Sequence, residues 1–124
     1  AINDKSIVLF EGHFKRNYIH VRDVSNAFIH CIKNFEGMKS EIFNVGLSTA
    51  NLSKFELCAE IQKVVPDLNI IELDTQKDPD QRNYIVSNKK IEKTGYKTIW
   101  TLQDGIIELV KGYQMINNRI YSNI

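Results

Sequence analysis

The sequence predicts a layered α/β fold. Short runs rich in β-branched and aromatic residues alternate with longer stretches whose apolar residues recur at helical spacing, and neither an internal repeat nor a low-complexity linker interrupts the alternation. Composition agrees with a packed globule: 43% of the 124 residues are hydrophobic and 25% are charged. Strands separated by amphipathic helices imply that some strand pairs are parallel, because a helix between two strands returns the chain to the same end of the sheet.

The elements follow in order. Residues 7–10, Ile-Val-Leu-Phe, form a first strand that closes at Gly12, and residues 18–21, Tyr-Ile-His-Val, form a second. Asp23 then stands at an expected helix N-cap, with Val24, Ala27, Phe28, Cys31, Ile32 and Phe35 along one face and Gly37 as the stop. Residues 42–45, Ile-Phe-Asn-Val, predict a third strand. Ser53 and Glu56 make a capping-box pattern before a helix whose inner side is Leu57, Cys58, Ile61, Val64 and Val65, and Pro66 stops it. Residues 69–73 predict a fourth strand, the acid-rich stretch 74–80 a loop, 84–86 a short extended piece, and 89–94 a brief helix ending at Gly95. Thr101 and Asp104 open a last helix with Leu102, Ile106, Leu109, Val110 and Tyr113 facing inward, and the Asn-rich tail 117–124 is expected to fray.

Charge and composition exclude several functions. Sixteen basic against fifteen acidic residues leave a net charge of +1, too close to neutral for the broad basic footprint of a nucleic-acid binder or a polybasic membrane anchor. No stretch approaches the roughly 18 apolar residues of a membrane span, and the first residues lack the apolar core of a signal peptide, so a cytoplasmic protein is expected. Cys31 and Cys58 both fall on apolar helix faces and read as buried thiols. His13, His20 and His30 have no metal-ligand spacing, so no metal site is expected. No Gly-x-Ser-x-Gly elbow and no tuned carboxylate pair appears, which leaves no catalytic residue to nominate.

Two polar constellations remain. Lys15, Arg16 and Arg22 bracket Tyr18, and an arginine at that point has the planar fork that binds phosphate oxygens in pairs. Lys77-Asp-Pro-Asp80-Gln-Arg82 places cations and carboxylates in one loop, where Lys77 and Arg82 suit a diphosphate and Asp80 suits a ribose diol. Spacing alone favours solubilising charges in the first and a mutually paired surface loop in the second.

The order of these motifs resembles a known family. Arg16-Asn-Tyr-Ile-His-Val-Arg-Asp-Val24 followed by Ala27 resembles the Arg-x-(Phe/Tyr)-Ile-His-Val-x-Asp-Val signature of the extended short-chain dehydrogenases, the NAD-dependent nucleotide-sugar epimerases and dehydratases. Glu41-Ile-Phe-Asn-Val-Gly46, Leu52-Ser-Lys-Phe-Glu-Leu57, the loop 77–82 and the short helix ending at Gly95 are similar to the family's next motifs, in the same order. Lys77 stands where the family has arginine, Val86 and Ser87 where it has an aspartate, and Thr94 and Tyr96 where it has leucine and tryptophan.

The resemblance implies that Arg16 contacts the diphosphate of a nucleoside-diphosphate sugar with Tyr18 beside it, that Asp80 holds the ribose hydroxyls, and that Lys77 and Arg82 complete the clamp. The family's Gly-x-x-Gly-x-x-Gly turn and Tyr-x-x-x-Lys pair are missing from these 124 residues. The chain is therefore expected to be a C-terminal portion. Residues 1–36 would be a strand-helix segment of an incomplete Rossmann-type sheet, and 37–116 a substrate-binding lobe. NAD or NADP would be bound by the absent N-terminal domain and not by this part, which alone would be inactive. Surface exposed by truncation would favour homodimers or non-native association. A non-catalytic ligand-sensing or association module on the same scaffold is the alternative.

Overall fold

The computed structural model describes residues 1–73 and 82–116. The order is β1 (Ser6–Phe10), β2 (Lys15–Asn17), α1 (Val21–Lys33), α2 (Phe35–Met38), β3 (Asn51–Ser53), α3 (Lys54–Gln62), β4 (Asn69–Leu73), α4 (Lys89–Glu92) and α5 (Leu102–Met115). As expected, the fold mixes helices with a parallel strand pair. β1 runs parallel to β4, with Val8 opposite Ile71, while β2 and β3 form an antiparallel pair with Arg16 opposite Leu52.

The capping boxes form where the sequence places them. Ser53 Oγ accepts from the Glu56 amide at 3.1 Å while the Glu56 carboxylate accepts from the Ser53 amide at 2.7 Å. Thr101 and Asp104 repeat the arrangement on α5. The other amides of the first turn of α3 are also engaged, Lys54 N–H by the Phe14 carbonyl and Phe55 N–H by that of Gly12, so the loop 11–14 is folded onto the helix start. Gly95 takes φ +90°, the left-handed conformation that ends a helix at little cost to glycine.

Four expectations are corrected. The second strand lies at Lys15–Asn17, not at 18–21, and α1 already begins at Val21 because His20, not Asp23, is the cap: its Nδ1 accepts from the Arg22 amide at 3.1 Å. Asp23 is fully buried instead, and its two carboxylate oxygens accept from the amides of Ile99 and Trp100, each at 3.0 Å. Residues 42–45 form no strand, since no neighbouring strand lies beside them among the described residues; Phe43 and Val45 pack on the core while Ile42 is exposed. Gly37 sits inside α2 and does not stop α1, which ends at Asn34, whose amide donates to the His30 carbonyl.

One cluster of the core joins Ala27, Met38, Ile91 and Tyr96, with Cys31, Phe43 and Val45 against it, and Leu9, Leu47, Ala50 and Leu68 are buried as well. Cys58 is buried, and burial pushes its thiol above the ordinary value, so it stays protonated and unreactive at neutral pH. The predicted inner faces are only partly covered: Ala27 and Ile106 are buried, but Phe28 is 69%, Ile32 74% and Leu109 61% exposed. Tyr113 is exposed as well. Phe28 and Ile32, one turn apart, form an exposed apolar stripe on α1, and Phe35, at the start of α2, is exposed as well. No helix is long and apolar enough to cross a membrane among the described residues.

Candidate functional site

The site grows from the β2–β3 pair. Asn17 fills the turn that leads into β3: its amide nitrogen donates to the Leu47 carbonyl at 2.8 Å and its oxygen accepts from the Leu47 amide at 2.9 Å. A Cβ on Gly46 would overlap that oxygen, so the close approach needs glycine. Asn51, opposite Asn17 in the register, turns its side chain onto the segment after residue 82. Its oxygen accepts from the Val86 amide at 2.9 Å and its nitrogen donates to the Val86 carbonyl at 3.1 Å. One side-chain amide thus replaces a strand neighbour for Val86.

On the other side of β2, the Lys15 amide donates to Asn83 Oδ1 at 3.0 Å and the Lys15 carbonyl accepts from the Tyr84 amide at 3.3 Å. The extended piece expected at 84–86 is present as a segment tied to β2 and β3 through these groups, outside a regular strand. The consequence for the site is direct. Arg16 follows Lys15 and Arg82 precedes Asn83, so the two arginines flank one hydrogen-bonded pair on adjacent segments.

Arg16 is held in detail. Its Nη1 donates to the Lys15 carbonyl at 2.9 Å, and its guanidinium carbon lies 5.2 Å from the centroid of the Tyr84 ring. Tyr18 is half-buried next to Arg16, and its amide donates to the Ala50 carbonyl at 3.1 Å. Burial raises the Tyr18 hydroxyl above its ordinary value while the nearby Arg16 charge pulls it down, so it remains a neutral donor at physiological pH. Of the five expected site residues, Arg16 lies in β2, Tyr18 follows that strand and Arg82 precedes Asn83 in the segment bonded to it; Lys77 and Asp80 lie outside the described residues. Around them stand Tyr84, Asn51, Asn17 and Asn83. Their signal in the sequence is a set of asparagines and one tyrosine beside the motif positions, which no spacing rule singles out.

A second polar cluster joins α1 to α5. His20 stacks on Trp100 with ring centroids 5.0 Å apart, Arg22 lies 4.8 Å from the Trp100 ring centroid, and Glu108 takes both Arg22 Nη2 at 2.9 Å and His20 Nε2 at 3.3 Å. Because His20 Nδ1 accepts from a backbone amide, the ring proton sits on Nε2, toward Glu108. With Asp23 beneath it, this cluster fixes the helix that follows the Arg16 strand. No group of three or more His, Cys, Asp or Glu side chains arranged to hold a metal occurs among the described residues.

No family model matches the chain. A probable GDP-L-fucose synthase from rice, Oryza sativa subsp. japonica, is 28% identical over 114 residues, which covers 91% of this chain and 34% of the relative. A GDP-6-OMe-4-keto-L-xylo-heptose reductase from Campylobacter jejuni superposes with a TM-score of 0.74 at 22% identity, covering 90% of this chain and 34% of that one. An L-threonine dehydrogenase from Phytophthora infestans gives 0.75 at 14% identity, with 90% and 38% covered. The chain thus spans about a third of the length of the relatives it matches. One fold serves enzymes named for different substrates, so these likenesses establish the architecture and leave the ligand to the site. In fold, this chain is similar to about a third of these enzymes and, with a TM-score of 0.71 at 21% identity, to part of a short-chain dehydrogenase/reductase superfamily protein from Agrobacterium tumefaciens solved with bound NAD.

Proposed function

We propose that this chain is the substrate-binding portion of an NAD(P)-dependent enzyme acting on a nucleoside-diphosphate sugar, and that it grips the nucleotide while the chemistry proceeds elsewhere in the parent protein. The observation that supports this reading is the pairing of Lys15 with Asn83, so that Arg16 and Arg82 stand next to the two bonded residues on adjacent segments, with the Tyr18 hydroxyl within reach of the Arg16 charge. Two guanidinium forks near a neutral phenol suit a ligand with several phosphate oxygens and adjacent hydroxyls. Lys77 and Asp80, shortly before Arg82 in the sequence, supply a further cation and a carboxylate for a ribose diol.

Binding the nucleotide end positions the sugar and contributes the remote binding energy that orients a reacting carbon. The hydride acceptor is NAD or NADP. None of this chain's residues fits that role: the 124 residues contain neither a Gly-x-x-Gly-x-x-Gly turn nor a Tyr-x-x-x-Lys pair. The cofactor therefore belongs to the N-terminal domain of the parent, and this portion alone does not turn over. Residues 1–36 and the apolar stripe of α1 are the surface that returns to that domain, residues 37–116 form the substrate lobe, and the protein works in the cytoplasm. The same stripe favours homodimers when it is left uncovered.

The relatives named above for GDP-sugars make GDP the first ligand to test. Calorimetric titration of the chain with GDP is expected to show binding that falls about tenfold or more in Arg16→Ala, the loss of a charge-assisted pair, and similarly in Asp80→Ala. Equal binding by both variants and the parent chain refutes the assignment.

A further inference from the structure

The guanidinium of Arg16 meets an aromatic face that the motif resemblance does not assign. Tyr84 is 44% exposed, and its ring centroid lies 5.2 Å from the Arg16 guanidinium carbon. The backbone brings the two together: the Tyr84 amide donates to the Lys15 carbonyl at 3.3 Å, and Arg16 Nη1 donates to that same carbonyl at 2.9 Å. The segment cannot slide along β2, because Asn83 Oδ1 takes the Lys15 amide on one side of Tyr84 and Asn51 engages both backbone groups of Val86 on the other. A long, rotamer-rich side chain is thus restrained between a carbonyl and a ring before any ligand arrives.

We propose that Tyr84 is a positioning residue that presents the Arg16 guanidinium to the diphosphate of the ligand through its ring face. The proposal rests on the reading that Arg16 binds the diphosphate. The ring acts by its π face, so the hydroxyl is dispensable and phenylalanine substitutes for tyrosine. Truncation leaves the amide of residue 84 bonded to Lys15, so the segment keeps its place and only the guanidinium gains freedom. In the parent chain, Arg16 is ordered before binding; without the ring its side chain must be ordered on binding, at the expense of affinity.

GDP titration of a double-mutant cycle tests this. Tyr84→Ala is expected to weaken GDP binding about fivefold and Tyr84→Phe less than about twofold. In the Arg16→Ala background, Tyr84→Ala is expected to have no further effect, a non-additivity that a merely structural role does not produce. The Arg16 δ-proton resonances, shifted by the ring current in the parent chain, should move to ordinary positions in Tyr84→Ala and stay shifted in Tyr84→Phe. Full GDP affinity in Tyr84→Ala, or an undiminished loss in the Arg16→Ala background, overturns the proposal while leaving Arg16 as the diphosphate ligand. No GDP binding, or binding indifferent to Arg16→Ala, overturns both.

Discussion

Asp23→Asn should be the most damaging conservative substitution in the chain. Asp23 is fully buried, and its two oxygens each accept one backbone amide, from Ile99 and Trp100, at 3.0 Å. Asparagine keeps one acceptor and places an NH₂ against the other amide, so one charge-assisted bond is lost and a buried N–H is left unpaired. Relief of the buried charge offsets part of this. The net cost is about 2–3 kcal/mol, which for a domain of this size corresponds to a fall in Tm of about 8–15 °C. Trp100 is the single tryptophan, and it stacks on His20 beside the bonded amides, so its fluorescence reports the same region during urea unfolding. Asp104→Asn, at an exposed cap, serves as the control. An Asp23→Asn variant within about 0.5 kcal/mol of the parent, at unchanged denaturant slope, refutes the reasoning that this carboxylate ties α1 to the segment before α5.

Other consequences are smaller. Burial, with a second contribution from the Asp23 charge, raises the Tyr96 hydroxyl above its ordinary value of 10.0, and burial raises Tyr18 and Cys58. Their stabilisation is complete below the unfolded-state values and is lost as pH rises through the folded ones, so unfolding should set in above about pH 9–10, less steeply in Tyr96→Phe. Tyr96→Phe should itself cost about 1 kcal/mol at pH 7, from the bond its hydroxyl donates to the Asp23 carbonyl at 2.7 Å. In the opposite direction, bonds to Ser53 and Thr101 hold the Glu56 and Asp104 carboxyls below their ordinary range; that support is present above the unfolded-state value and lost as pH falls through the folded one, so helicity by circular dichroism should decline in acid. Ser53→Ala should cost about 1 kcal/mol in urea unfolding, with the α3 amides the first to lose exchange protection. Phe28→Lys combined with Ile32→Lys should abolish concentration-dependent association in sedimentation velocity; a parent chain that stays monomeric contradicts the proposed use of that stripe.

What the sequence discloses depends on the range of the interaction. Ser53 with Glu56 and Thr101 with Asp104 complete their bonds within four residues, so both helix starts are readable; the end of α3 is not, since the helix stops at Gln62, before Val64, Val65 and Pro66. His20 was harder, since nothing in its neighbours distinguishes a capping imidazole from a strand residue. Asp23 reads locally as a cap, because its true partners, Ile99 and Trp100, lie more than seventy positions away. Residues 42–45 carry strand chemistry, but a strand needs a neighbour and none lies beside them among the described residues. The candidate site divides in the same way. Arg16, Tyr18 and Arg82 stand in recognisable motifs, whereas Asn51 and Tyr84 matter only because the chain folds 82–86 back on β2, a pairing that no local pattern encodes.

The most direct test of the central claim is a GDP titration followed by backbone amide resonances of the chain. Binding through the proposed face predicts saturable shifts concentrated at Arg16, Tyr18, Asn51 and the segment 82–86, absent in Arg16→Ala. Shifts that cluster on α5 or α1 instead, or none at millimolar GDP, contradict it.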